Sequence, residues 1–210
     1  QIMKNINRVI EERLPLDING FIVRQIALSN LILTSDEKKL GCMLVDFGAE
    51  TTSVSIHKAG ALQYMATIPL GSRNITRDLT SLSITEEVAE KVKRNTNANP
   101  QETIGTSGKS TLIEGIDDAE VNNYVQYRSR EIIANIINQI KLSGYKTTDL
   151  PNGIIIVGGG AKLKGFNSYL ESQSSLKVRA GILNGNIRLL DTSINQADRC
   201  HRSAICRISK

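Results

Sequence analysis

Leu44-Val45-Asp46-Phe47-Gly48-Ala49-Glu50-Thr51-Thr52-Ser53-Val54-Ser55-Ile56 decides the fold. An apolar run ends in an aspartate, a glycine and a polar turn, and an alternating run leaves the turn through Val54 and Ile56. That pattern predicts two strands joined by a tight turn. Backbone N–H groups in a Gly/Thr turn can converge on an anion. Asp46, at the end of a buried strand, is placed to hold the water shell of Mg²⁺, which usually keeps several waters. The same residues also read as an ordinary hairpin with a solvated turn.

A second stretch sits about a hundred residues on. Gly153-Ile154-Ile155-Ile156-Val157-Gly158-Gly159-Gly160-Ala161-Lys162-Leu163-Lys164-Gly165-Phe166 is a short apolar strand, a triple glycine and a helix start. Glycines after a buried strand let backbone approach a ligand closely. A plain strand-to-helix turn would look alike.

The two stretches in this order resemble the second half of the actin/Hsp70/sugar-kinase nucleotide fold. More closely, the chain resembles the FtsA family of actin-like bacterial cell-division proteins. The matching residues are the two stretches above with Gly60-Ala61-Leu62, Ile68-Pro69-Leu70-Gly71, Ile75-Thr76-Arg77-Asp78 and Ala89-Glu90-Lys91-Val92-Lys93. The expected fold class is therefore α/β, an actin-like (ribonuclease H-like) nucleotide-binding lobe with an inserted α+β subdomain. On that resemblance, residues 1–40 end a first lobe, 41–75 and 153–210 form the second-lobe core, and 76–152 form the insertion. The chain opens on Gln1 without an initiator methionine, which reads as an excised piece.

Composition narrows the class. The chain has 210 residues, 40% hydrophobic and few aromatic, as expected of a soluble protein with an aliphatic core. Its +5 formal charge comes from 26 basic and 21 acidic residues, scattered rather than in a run. A nucleic-acid protein would show a clustered basic stripe with interleaved aromatics, so none is expected as a partner. Cys42, Cys200 and Cys206 form no Cys-x-x-Cys pair and fit a reducing cytoplasmic compartment. Cys200-His201 with Cys206 lacks a fourth metal ligand, and His57 is remote in sequence. No signal peptide and no apolar run of about eighteen residues is present.

Along the chain, residues 1–14 read as a helix, 20–26 as a strand and 27–33 as a helix closed by polar residues 34–39. Residues 41–69 read as a three-stranded meander with its second turn at Ala59-Gly60. Ser72 to Leu82 reads as a helix whose first turn, with Gly71 and Asn74, carries free amides suited to phosphate or simply to capping. Thr85 caps the next helix. Glu90 and Lys93 share a face of it, by themselves a surface ion pair. Short runs near 102–104 and 111–113 read as a hairpin. Its tip, Gly105-Thr106-Ser107-Gly108-Lys109-Ser110-Thr111, imitates a P-loop, but the first glycine would have to stand where Thr103 is. Tyr124 to Ser143 reads as a helix with an isoleucine stripe, closed by Gly144. Residues 166–172 then read as a helix, 178–181 as a strand, 185–186 as a loop and 202–208 as a last helix.

What the resemblance implies about function is specific. ATP would lie in the cleft, its phosphates on Asp46, Gly48, Ala49, Glu50, Thr51 and Thr52, with Mg²⁺ at Asp46 through water. Gly71 and Asn74 would add helix amides. Glu90 and Lys93 would meet ribose and base edge, and Gly158, Gly159, Gly160 and Lys162 the adenosine. The family's usual turn is Asp-x-Gly-Gly-Gly-Thr-Thr-Asp; here Ala49 and Glu50 replace glycines and Ser53 the aspartate. A methyl restricts the backbone and a carboxylate can repel phosphate. No catalytic set is visible, and at most a weak ATPase is expected, without a metabolic substrate. With one lobe, weak or no ATP binding is expected. FtsA proteins polymerise like actin and tether FtsZ to the inner face of the cytoplasmic membrane at the division site. The FtsZ C-terminal tail would meet Arg128, with Arg130 and Lys141 as neighbours, and other division proteins would also bind. The family's membrane contact is a C-terminal helix beyond this sequence, so no lipid binding is expected of it. The alternatives are a metabolic kinase of the same fold, or an actin-like pilus or plasmid-partition adaptor.

Overall fold

The structure, a computed structural model, describes residues 1–14, 16–103 and 117–183. β1 (Cys42–Phe47) and β2 (Thr52–Lys58) form the expected hairpin, with Asp46 opposite Ser53 and Val45 opposite Val54. β3 (Ala61–Ile68) continues the antiparallel meander. Ala59 and Gly60 make its turn with φ of 54° and 80°. β4 (Ile154–Val157) joins the other side of β1 in parallel, setting Val157 beside Asp46. β5 (Val178–Ala180) pairs in parallel with β4. The sheet order β3-β2-β1-β4-β5 therefore brings the two decisive stretches together at its centre.

Strand alternation divides the centre between two cores. Met43, Val45 and Phe47 face one side with Ile154 and Ile156, and Cys42, Leu44 and Ile155 face the other. Every residue of β1 is buried, as a central strand covered on both faces requires. The second face is covered by α2 (Arg24–Ile32), whose Ile32 packs with Leu33 against Cys42 and Leu44. The first face carries α4 (Ser72–Thr80), α5 (Glu86–Asn95), α7 (Asp118–Leu142) and α8 (Phe166–Ser174). The isoleucine stripe of α7 is buried as expected, through Ile132, Ile133, Ile136 and Ile140. Tyr64 on the edge strand donates to Gln139 of the same helix at 2.8 Å. Gly144 follows α7 with φ of 78°, the left-handed cap position.

Several expectations are corrected. Residues 20–26 are not a strand. Phe21, Ile22 and Val23 are exposed and have no ladder partner, and helix α2 starts at Arg24. Residues 1–14 are helical, but α1 (Ile2–Asn7) passes into π-helical turns over Arg8–Arg13. The polar stretch after α2 is itself helical, α3 (Ser35–Leu40). It is held by a capping box in which Thr34 accepts from the Glu37 amide and Glu37 accepts from the Thr34 amide. Pro100–Thr103 is helix α6, which removes the first arm of the expected hairpin. Its second arm, the P-loop imitation at 105–111 and everything after 183 lie outside the described residues. α7 starts six residues before the expected Tyr124, with Asp117 capping the Ala119 amide at 3.0 Å.

Candidate nucleotide site

The turn after β1 is closed by its own backbone. Gly48 donates to the Thr51 carbonyl at 3.0 Å, while the amides of Ala49, Glu50 and Thr51 donate to no described residue. Three successive amides with no internal acceptor form the kind of concavity that takes an anion. Thr52, next along, is buried and donates its hydroxyl to the Leu70 carbonyl at 2.7 Å.

Helix α4 fastens this turn rather than adding amides to it. Ser72 N–H donates to the Gly48 carbonyl at 3.0 Å and Arg73 N–H to the Ala49 carbonyl at 2.8 Å. Asn74 N–H donates to Gly71, and Gly71 N–H donates to Asn74 Oδ1 at 2.9 Å. The free amides expected at Gly71 and Asn74 are thus all in use. Gly71 is required for the dock: a Cβ there would lie 2.1 Å from the Ala49 carbonyl oxygen.

Glu50 turns toward α4 and meets Arg73 at 3.1 Å and Arg77 at 3.3 Å. Its charge is therefore matched by two guanidiniums at the surface. Arg73 also holds Glu86 at 2.7 Å, and both side chains are half-exposed. Ala49, Arg73, Glu86, Glu90, Lys93 and Arg94 line a cavity of about 570 Å³ between the turn and α5. It gathers Ala49, Glu90 and Lys93 from the expected set.

Glu90 and Lys93 do pair, at 2.5 Å, but not as an exposed couple. Lys93 is buried and also donates to the Ser72 carbonyl and to Thr76 Oγ1 at 3.2 and 2.9 Å. Glu90 spreads its oxygens over Lys93, Thr76 and Arg94. Burial pushes the Glu90 carboxyl up, and the hydrogen bonds and charge around it more than reverse that, leaving it below its usual range. The couple ties α4 to α5, with its hydrogen-bonding capacity already engaged.

The glycines after β4 come to Asp46. A Cβ on Gly158 would lie 2.3 Å from the Phe47 carbonyl oxygen and 3.0 Å from Asp46 Oδ1, and one on Gly160 would strike the Phe47 ring at 2.6 Å. Both glycines let the chain pass over β1. Gly159 is half-buried and Lys162 exposed, on a 3₁₀ turn at Gly160–Lys162. Asp46 itself is 5% exposed and paired with Arg24 Nη2 at 2.6 Å. Among the described residues no three His, Cys, Asp or Glu side chains cluster as a metal site. Cys42 is buried, and burial pushes its thiol up to about 12, so it is inert.

The expected partner residues do not form a group. Arg128 grips Asp78 of α4 with two nitrogens, at 2.6 and 2.9 Å, and Glu131 with a third. The Asp78 hydrogen bonds hold its guanidinium above the ordinary value against the opposing effect of burial. Arg130 is exposed on another face, about 200° around the helix, and exposed Lys141 is about 20 Å along the axis from Arg128. Asp78, Asn123, Tyr124, Tyr127, Arg128 and Glu131 line a surface groove of about 450 Å³. The sequence reading missed Arg24, Arg73 and the Asp78 partner of Arg128. No local spacing links residues 22 or 50 positions apart.

The model of a family described as cell division protein FtsA matches residues 43–201. The chain belongs to the FtsA family. The cell division protein FtsA of Porphyromonas gingivalis is 37% identical over 182 residues, covering 83% of this chain and 37% of that protein. That of Bacillus subtilis is 30% identical over 190 residues, covering 85% of this chain and 42% of that protein. The chain thus spans less than half of either relative. Among solved structures, MreB5 of Spiroplasma citri bound to ADP superimposes with TM-score 0.66 at 15% identity, over 87% of this chain and 61% of that one. A PilM–PilN type IV pilus biogenesis complex superimposes with TM-score 0.58 at 18% identity, over 79% and 43%. The fold is the actin-like α/β fold. Among the described residues no helix is long and apolar enough to cross a membrane.

Proposed function

We propose that this FtsA-family chain takes ATP phosphates on the turn Ala49–Thr51 and the acidic C-terminal tail of FtsZ on the α7 groove. The whole protein would self-associate as actin-like filaments. It would anchor FtsZ and other division proteins to the cytoplasmic face of the membrane at the division site. The observation that carries the nucleotide reading is the row of three unengaged amides, fixed from behind by α4. The 570 Å³ cavity beside the turn is of ligand size. Mg²⁺ fits less well, because Arg24 already holds the Asp46 carboxylate. For the partner, Arg128 lines the groove, and the exposed ring of Tyr127 lies beside it. Membership of the FtsA family outweighs the kinase and pilus alternatives.

The test is an anisotropy titration of a fluorescent ADP with Thr51→Asp as the variant. Thr51 is exposed, so the fold should tolerate the change. A carboxylate beside the amides should weaken binding about tenfold or more, with an unmoved melting midpoint. Equal affinity of the two proteins would place the phosphates elsewhere. Affinity is expected to be weak, because one lobe offers half of the cleft, so the titration runs to millimolar concentrations. No saturable binding by either there would remove the reading that this turn takes phosphate without the other lobe.

A further inference from the structure

Arg24 is the first residue of α2, 77% exposed along its side chain, and its Nη2 lies 2.6 Å from Asp46 Oδ2. The carboxylate it reaches is 5% exposed. Its other oxygen is closed in by Gly158, where even a Cβ would come within 3.0 Å. The guanidinium therefore covers the accessible side of Asp46. A divalent ion held through water needs that side, and room for its shell. The placement is also built, because Ile32 at the far end of α2 is packed in the core with Leu44 and Ile155.

Two physical considerations show that the pairing is not incidental. A cation in the first turn of a helix opposes the helix dipole, so the position is locally unfavourable for arginine and needs a compensating partner. Burial pushes the Asp46 carboxyl up, and the charge of Arg24 offsets that only in part, leaving it above its ordinary range. Removing the arginine would leave a buried carboxylate without a counter-charge.

We propose that Arg24 is the resident cation of the phosphate site, its guanidinium standing beside Asp46 where a divalent ion would otherwise sit. The reading deepens the nucleotide proposal and rests on it for the phosphate, while the Arg24–Asp46 pairing stands apart from it. Guanidinium offers five donors in a rigid fork and is suited to binding phosphate and carboxylate together. With Asp46 taking one nitrogen, the others are available to a phosphate on Ala49–Thr51. Nucleotide binding is then independent of a metal at Asp46.

The experiment combines a double-mutant cycle with a metal dependence, on the 210-residue chain. Arg24→Ala should lower the melting midpoint by about 2–6 °C with Asp46 present and leave it unmoved in an Asp46→Asn background. MgCl₂ should leave the wild-type midpoint where matched NaCl leaves it. Fluorescent ADP should bind wild type within about twofold in EDTA and in MgCl₂, and Arg24→Ala about tenfold more weakly in EDTA. Equal costs of Arg24→Ala in both backgrounds, a Mg²⁺-specific stabilisation of wild type, or a tenfold loss of wild-type affinity in EDTA would each overturn the proposal. If ADP binds under neither condition, the phosphate reading alone fails. The cycle and the MgCl₂ midpoint then decide the resident cation.

Discussion

Helix α4 borders both candidate sites, and the two are made of different materials. At its start, the turn Gly48–Thr51 is held by main-chain bonds from Ser72 and Arg73, with Gly71 squeezed against Ala49. Further along, the α7 groove is held by side chains, a two-pronged pair between Arg128 and Asp78 with Glu131 beside it. A site made of backbone depends on where glycine is tolerated. A site made of charges depends on partners that one substitution can remove. The first should be brittle to added bulk and indifferent to salt, the second the reverse.

Gly71→Ala is the sharpest way to break the first. Its backbone is extended, with φ of −139°, so the cost is collision with the Ala49 carbonyl rather than strain at φ. A loss of more than about 3 kcal/mol is expected in urea unfolding, and a loss below about 1 would show that the dock gives way easily.

Protons act first on neither site, but on β2 of the sheet. His57 is buried on β2 against Ser55, and burial, with Lys38 second, lowers its pKa from 6.5 to about 4. The unfolded chain therefore binds this proton first. The stability His57 contributes is complete above about pH 6.5 and is lost as pH falls toward 4, by about 3 kcal/mol in all. Urea midpoints at pH 7 and pH 4.5 should differ in wild type and differ much less in His57→Gln.

Arg128→Ala tests the second site. Asp78 and Glu131 would lose their shared partner, at a cost of about 1–2 kcal/mol read by thermal or urea unfolding. Binding of an FtsZ tail peptide, where present, should fall with it and should weaken with salt in wild type. Unchanged peptide affinity would move the partner surface off the groove.

The smallest effect calibrates the largest. Gly60→Ala meets nothing within 4 Å but must adopt φ of 80°. Strain alone should cost about 1 kcal/mol. A cost as large as that of Gly71→Ala would mean that crowding is not what matters at the dock.

The same contrast governs what could be read from the sequence. The hairpin, the meander and the buried strand that ends in the triple glycine were legible. Asp46-Phe47-Gly48 and Gly158-Gly159-Gly160 record backbone geometry in residue type. Phe21-Ile22-Val23 misled because β preference needs a neighbouring strand, and none pairs with it. The employment of Lys93 inside the α4–α5 junction, of Arg128 on Asp78 and of Arg24 on Asp46 was not legible. Each depends on charges brought together from distant positions. Such pairs leave no periodicity along the chain.

One core runs without a break from Val45, Val54 and Ile56 in the sheet to Ile75 and Leu79 in α4 and Ile132 and Ile136 in α7. Helices α4 and α7 therefore do not form a module that could melt while the sheet endures. Their slowest-exchanging amides should share one opening event with those of β1, as a single foldon. A helix so joined cannot be excised or transplanted alone. Whatever binds at one end of α4 acts on a body that is continuous to the other.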